Sequence, residues 1–228
     1  MAESIAESLR AFDTPALADA LARLDLQSHS SGYAAPGLHC FASQKSTIVG
    51  FAATARIRAA DPPMTGHHYF RHSGWWEQIA GLPEPRIVVI EDVDRRPGSG
   101  ACVGLVGASL FRALKCVAAI TNGAVRDVPA IAEAGFGLFA AYLSPSHAYA
   151  HLVDHGQAVT IFNLPVNQGD LLAADRHGVL AIPIDHAQEI CAIAADVRKR
   201  KQTFVDFCQS ESFSLDNLDQ QLKDIQLS

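Results

Sequence analysis

The sequence predicts an α/β fold, and three stretches carry that prediction. Arg86-Ile-Val-Val-Ile-Glu-Asp92 is the continuous apolar run of a strand covered on both faces. A second such run, Cys116-Val-Ala-Ala-Ile120, follows a segment in which Val103, Val106, Leu110, Phe111 and Leu114 mark one helix face. Residues 86–121 therefore read as a strand–helix–strand unit, broken after its first strand by Pro97-Gly-Ser-Gly100, with a right-handed crossover expected. The third stretch, Ala158 to Pro183, is strand-rich, with a turn at Arg176-His-Gly178.

The remaining elements follow in order. A helix opens near Phe12, where Thr14 supplies a capping hydroxyl and Pro15 suits the first helical position; Ala16, Leu17, Ala20 and Leu21 give it an apolar stripe. Residues 29–40 are loop, and Ser46 to Ile57, β-branched and apolar, make one or two strands. Residues 61–76 form an irregular connection, with a short helix from Gly74 to Ala80. A short helix spans Val128 to Ala134, ended by Gly135, and Gly137 to Leu143 is a strand. Ser144-Pro-Ser-His-Ala-Tyr149 reads as a capped helix start, which would put His147, His151 and His155 on one face. A long amphipathic helix is expected from Asp185 to Cys208, with Ile190, Ile193, Val197 and Phe204 on one side. The organisation is one domain over residues 1–208 and a polar tail over 209–228.

Bulk properties narrow the function classes. With 228 residues, 49% of them hydrophobic, the chain suits one sizeable core. A formal charge of -6 and a pI near 5.9 give no support for nucleic-acid binding, and the basic run Arg198-Lys-Arg-Lys201 reads as a solvated helix face. The five cysteines lack CxxC spacing, which fits reduced thiols in a cytoplasm. The N-terminus carries acids early and lacks the apolar core of a signal peptide, and no apolar run reaches membrane-spanning length.

Chemistry concentrates at Asn122-Gly-Ala-Val-Arg-Asp127. In a strand–helix–strand unit the helix start and the end of the second strand lie at one sheet edge, so Gly100–Gly107 and Asn122–Asp127 should converge. The helix start offers free N–H groups and the positive end of a dipole, an anion site. Arg126 adds a planar fork for a carboxylate, and Asp127 a hard oxygen ligand for Mg²⁺ or Mn²⁺. As neighbours on a short turn the two are poorly placed to pair, so each is expected to aim at a third group. The alternative is that Asp127 caps the helix at Val128 and Arg126 pairs on the surface.

Other clusters read two ways. The three helical histidines are metal ligands or C-terminal dipole partners. His67, His68 and His72, with Tyr69, Phe70, Trp75 and Trp76, cover a pocket, meet a neighbouring subunit or pack on the sheet edge. Glu91, Asp92 and Asp94 organise metal-bound water or serve a loop, and Asp170 and Asp175 read as turn residues. Cys102 lies near the helix start, where a thiol pKa can fall, without a histidine partner visible in the sequence.

Together, "NGAVRD" at 122–127 and "GDLLAADRHGVLAIP" at 169–183 resemble the RraA-like family over roughly residues 12–200. That family includes 4-hydroxy-4-methyl-2-oxoglutarate aldolases, oxaloacetate decarboxylases and regulators that inhibit RNase E by protein contact. The resemblance implies a swivelling β/β/α fold, a homotrimer or hexamer with sites between subunits, and a small α-keto acid substrate. It implies that Arg126 binds the pyruvyl group, that Asp127 reaches the divalent metal, and that the backbone of Gly104, Leu105, Val106 and Gly107 binds substrate. Two departures stand out. Leu105 occupies the position where the aldolases usually carry an acid. No acid falls in Arg198–Gln202, where they place a glutamate from a neighbour's C-terminal helix; Glu189 and Asp196 are out of register. The resemblance thus implies a metal-dependent lyase of altered activity or, in the alternative, a non-catalytic regulator.

Overall fold

The computed structural model describes residues 2–26, 31–42, 46–63 and 73–224. In chain order its elements are α1 (Ala2–Arg10), α2 (Thr14–Arg23), β1 (His39–Ala42), β2 (Ile48–Arg58), α3 (Ser73–Ala80), β3 (Arg86–Asp92), β4 (Ala101–Val103), α4 (Leu105–Ala113), β5 (Cys116–Thr121) and β6 (Ala124–Val125). They continue with α5 (Val128–Glu133), β7 (Gly137–Ala140), β8 (Tyr142–Leu143), β9 (His151–His155), β10 (Val159–Ile161), β11 (Leu164–Val166), β12 (Leu171–Asp175), β13 (Gly178–Ile182), α6 (Ala187–Cys208) and α7 (Leu215–Asp224).

The main sheet runs β1-β7-β5-β3-β2-β12-β13, and β9 pairs with the far half of β2. Its centre, β2-β3-β5-β7, is parallel; the flanking strands are antiparallel. Alternation along β3 sorts the core. Val88 and Ile90 face the helices, packing with Trp75, Ile79, Phe111 and Ile131, while Ile87 and Val89 meet the β10–β11 hairpin through Val159, Ile161, Leu164 and Val166. Helices, sheet and hairpin thus form three layers, and this double cover is why β3 is apolar without interruption. A separate cluster seals α1, α2 and α6 against β2, β12 and β13. Among the described residues, no helix is long and apolar enough to cross a membrane.

Several local expectations change. Asp13, rather than Thr14, caps α2, accepting from the Ala16 amide. Thr14 instead donates its amide and its hydroxyl to Asp175, each at 2.7 Å, and Asp175 also accepts from the His177 amide at 2.8 Å. Burial alone would raise the Asp175 carboxyl, but these donors outweigh it and hold it below the usual range. The resulting stability is fully present above the ordinary aspartate pKa of about 3.9 and is lost as pH falls through the lower folded value. Urea titrations of wild type and Asp175→Asn should therefore differ at pH 7 and converge toward pH 3; a gap independent of pH would contradict this.

The stretch Gly137–Leu143 splits between two sheets as β7 and β8. The histidine helix does not form: His151 and His155 lie on β9, which β2 pulls into the main sheet, and His147 sits in the preceding loop. His151 accordingly bonds the Tyr149 carbonyl and His155 the Gln78 amide oxygen, so the three do not gather as metal ligands. Trp75 is fully buried, stacked on Trp76 at 4.7 Å and edge-on to Phe111 at 5.6 Å, which makes it a core residue; His67 to His72 lie outside the described residues.

Candidate functional site

The expected convergence occurs, through a device that the sequence pattern does not show. β4, β6 and β8 form a small parallel sheet of their own, with Val103 beside Val125 and Val125 beside Leu143. Parallel strands end at one edge. The residues that follow them, Gly104 at the start of α4, Arg126-Asp127, and Ser144 to His147, are therefore gathered together. The ladder continues into these ends: the Arg126 amide donates to the Val103 carbonyl at 3.0 Å and the Ser144 amide to the Val125 carbonyl at 3.1 Å.

Asp127 adopts a left-handed conformation (φ 58°) and its side chain does not cap α5. It turns to the other helix, accepting the Leu105 amide on Oδ2 at 3.0 Å. Arg126 and Asp127 do pair, contrary to expectation. Arg126 Nε donates to the same Oδ2 at 3.3 Å, and Nη1 reaches the Pro145 carbonyl at 3.3 Å. The left-handed turn brings the two side chains to one side, where a regular turn would splay them. The Leu105 amide first, then Arg126, hold the Asp127 carboxyl below the usual range, so it is an anion at neutral pH.

Gly104 makes this approach possible. A Cβ there would lie 2.8 Å from Asp127 Oδ2 and 3.2 Å from Arg126 Cγ. Gly104→Ala should push the pair from the helix start and lower function more than stability. The expected stability cost is about 1–3 kcal/mol, that of an overpacked site. Thermal melts and ligand titrations together check this, and an alanine variant that binds like wild type would refute it.

Of the four backbone positions, the Leu105 amide is already used by Asp127, while Val106 and Gly107, in the first turn of α4, have no carbonyl one turn earlier to bond. The Val106 side chain, expected in the core, is 70% exposed; α4 buries Gly107, Ala108 and Phe111 instead, because the helix starts only at Leu105, after β4. Leu105, Val106, Tyr142 and Leu143 give the site an exposed apolar rim.

The neighbouring acids are committed elsewhere. Asp92 is buried and accepts the Gly98 and Asp94 amides, and burial raises its carboxyl against their pull. Asp94 accepts the Ala59 and Ala60 amides. On α6, Asp196 is held by Arg23 and Arg200, and Glu189 by His186. The Cys102 thiol, far from being activated, is pushed up to about 12 by burial. Among the described residues, no group of three His, Cys, Asp or Glu side chains could hold a metal. Oδ1 of Asp127 has no hydrogen-bond donor among the described residues. A single carboxylate fits Mg²⁺ or Mn²⁺, which keep waters and take oxygens from a substrate, and does not fit a closed zinc site.

His147 belongs to this edge as well. Its Nδ1 lies 2.8 Å from the Ala101 carbonyl, in the loop that Arg126 holds through the Pro145 carbonyl. Sequence reasoning assigned it to a helix, and only the pairing of β8 with β6 brings it here.

Comparison with known proteins agrees with the architecture. An uncharacterised protein from Pseudomonas syringae pv. tomato superposes with a TM-score of 0.74 at 20% identity, covering 98% of this chain and 94% of that one. RraAS2 of Streptomyces coelicolor, an unusual member of the RNase ES inhibitor RraA protein family, superposes at 0.69 with 18% identity, covering 88% and 94%. At such identities they establish the fold alone. Protein DlpA of Legionella pneumophila is 30% identical over 152 residues, 65% of this chain; the match spans only 23% of DlpA. The family model described as Aldolase/RraA matches residues 14–181. The chain therefore belongs to the RraA-like family, which holds both lyases and ribonuclease regulators, and has its swivelling β/β/α fold.

Proposed function

We propose that the chain is a divalent-metal-dependent lyase that releases pyruvate from a small α-keto acid by decarboxylation or retro-aldol cleavage. One observation carries the reading: Arg126 and Asp127 meet at the N-terminus of α4, packed against Gly104, where any side chain would displace them. Arg126 grips the substrate carboxylate with its guanidinium. The Val106 and Gly107 amides aim the helix dipole at a second oxyanion. Asp127 would hold Mg²⁺ or Mn²⁺, which when bound would supply Lewis acidity to the keto acid. Negative charge that develops as the C–C bond breaks is met by Arg126 and the helix start. The exposed apolar rim supports a homotrimer or hexamer with sites between subunits.

Leu105, where an acid would help take a hydroxyl proton, favours decarboxylation, since CO₂ leaves without a base. Purified protein with Mg²⁺ should release pyruvate from oxaloacetate faster than from 4-hydroxy-4-methyl-2-oxoglutarate. Equal rates would contradict this order, and no release from either would count against the lyase. Leu105, together with the lack of a third converging acid among the described residues, favours a second reading, a regulator that binds a ribonuclease. Its test is inhibition of an RNase E-type endoribonuclease that Arg126→Ala leaves unchanged.

A further inference from the structure

We propose that His147 is the proton-transfer residue of this site, the group that protonates the pyruvate enolate that either cleavage leaves. The inference rests on the lyase reading and adds to it a named acid–base group.

Four observations place the residue. The loop after β8 is tied to the site, because Arg126 Nη1 donates to the Pro145 carbonyl and the Ala101 amide donates to the Ser146 carbonyl at 2.8 Å. His147 Nδ1 faces the Ala101 carbonyl at 2.8 Å. A carbonyl can only accept, so Nδ1 carries the hydrogen and Nε2 is the nitrogen left for exchange. The main chain is brought close to achieve this: a Cβ on Gly100 would stand 2.2 Å from the His147 carbonyl oxygen, and Ala148 takes a left-handed conformation (φ 46°) that a non-glycine residue adopts at a cost. Finally, the acids nearby, Asp92 and Asp94, are committed to backbone amides.

The chemistry balances without a further reactant. In retro-aldol cleavage, water takes the hydroxyl proton as the C–C bond breaks. The bonding pair passes to the enolate, and protonated His147 gives its Nε2 proton to the new methyl carbon and regains one from that water, leaving pyruvate and a carbonyl product. In decarboxylation the carboxylate leaves as CO₂, and protonated His147 supplies the proton to carbon, then regains one from water.

The test compares wild type, His147→Asn and Arg126→Ala. Asparagine can still donate to the Ala101 carbonyl but cannot transfer a proton, which separates positioning from chemistry. Two readouts are used: oxalate binding with Mg²⁺ by calorimetry, and deuterium exchange into the methyl group of pyruvate by NMR. His147→Asn should bind oxalate within about threefold of wild type and slow exchange by ~10²–10⁴-fold, the usual contribution of a positioned acid–base group, with partial rescue by added imidazole. Arg126→Ala should lose binding. Exchange at the wild-type rate in His147→Asn overturns the assignment and leaves the lyase reading intact; loss of oxalate binding in His147→Asn reduces the residue to a structural part and also overturns it. A wild-type protein that neither binds oxalate nor exchanges pyruvate overturns both.

Discussion

Arg126→Ala is expected to lower kcat/KM for pyruvate release by ~10²–10³-fold, about 2.7–4 kcal/mol of transition-state stabilisation, with the fold unchanged. The size follows from what the guanidinium does under the proposed function. It is a cation at the mouth of a helix dipole, aimed at an anion whose charge grows during the reaction. The fold should survive because the side chain is 34% exposed and makes one hydrogen bond to backbone, at 3.3 Å. The pair it forms with Asp127 is exposed enough that its contribution to stability is small. Steady-state kinetics with thermal melts distinguish the cases. A loss below fivefold would remove Arg126 from the mechanism, and a collapsed melting temperature would show a structural role. Asp127→Asn is the useful companion, because its amide oxygen can still accept the Leu105 amide while the charge is gone.

Phe111→Ala should cost about 3–5 kcal/mol of stability, the most of any change considered, by the loss of a buried aromatic side chain and the cavity it leaves. Phe111 is fully buried, edge-on to Trp75 at 5.6 Å and 6.3 Å from Trp76. It anchors α4 to α3 across the helical layer, so its removal loosens the element whose first turn carries the anion site. Urea unfolding with an unchanged slope checks the value. A cost under about 1 kcal/mol would mean that Trp75 and Trp76 close the gap.

Much of the fold was legible in the residues. β3 and β5 announce themselves by unbroken apolar runs because helices and a hairpin cover both faces, and α6 by its periodic stripe. α5 follows from Pro129 and Gly135, and the β12–β13 hairpin from its turn residues. Errors arose where a partner distant in sequence decides. "SPSHAY" has the composition of a capped helix start, but β2, nearly a hundred residues earlier, recruits the histidines that follow into a strand. Thr14 has a capping hydroxyl and spends it on Asp175, 161 residues away.

The candidate site divides in the same way. By itself, the sequence determined that a cation and an anion stand together after a strand, near a glycine-bearing helix start, since these are facts of spacing and residue type. Tertiary structure decided that they pair, that Asp127 turns to Leu105 rather than to its own helix, and that His147 joins them. Those outcomes hang on β6 and β8, two residues each, and strands so short have no periodicity to read. Their pairing is fixed by the packed layers around them, where burial across the whole chain outweighs the preference of any short segment.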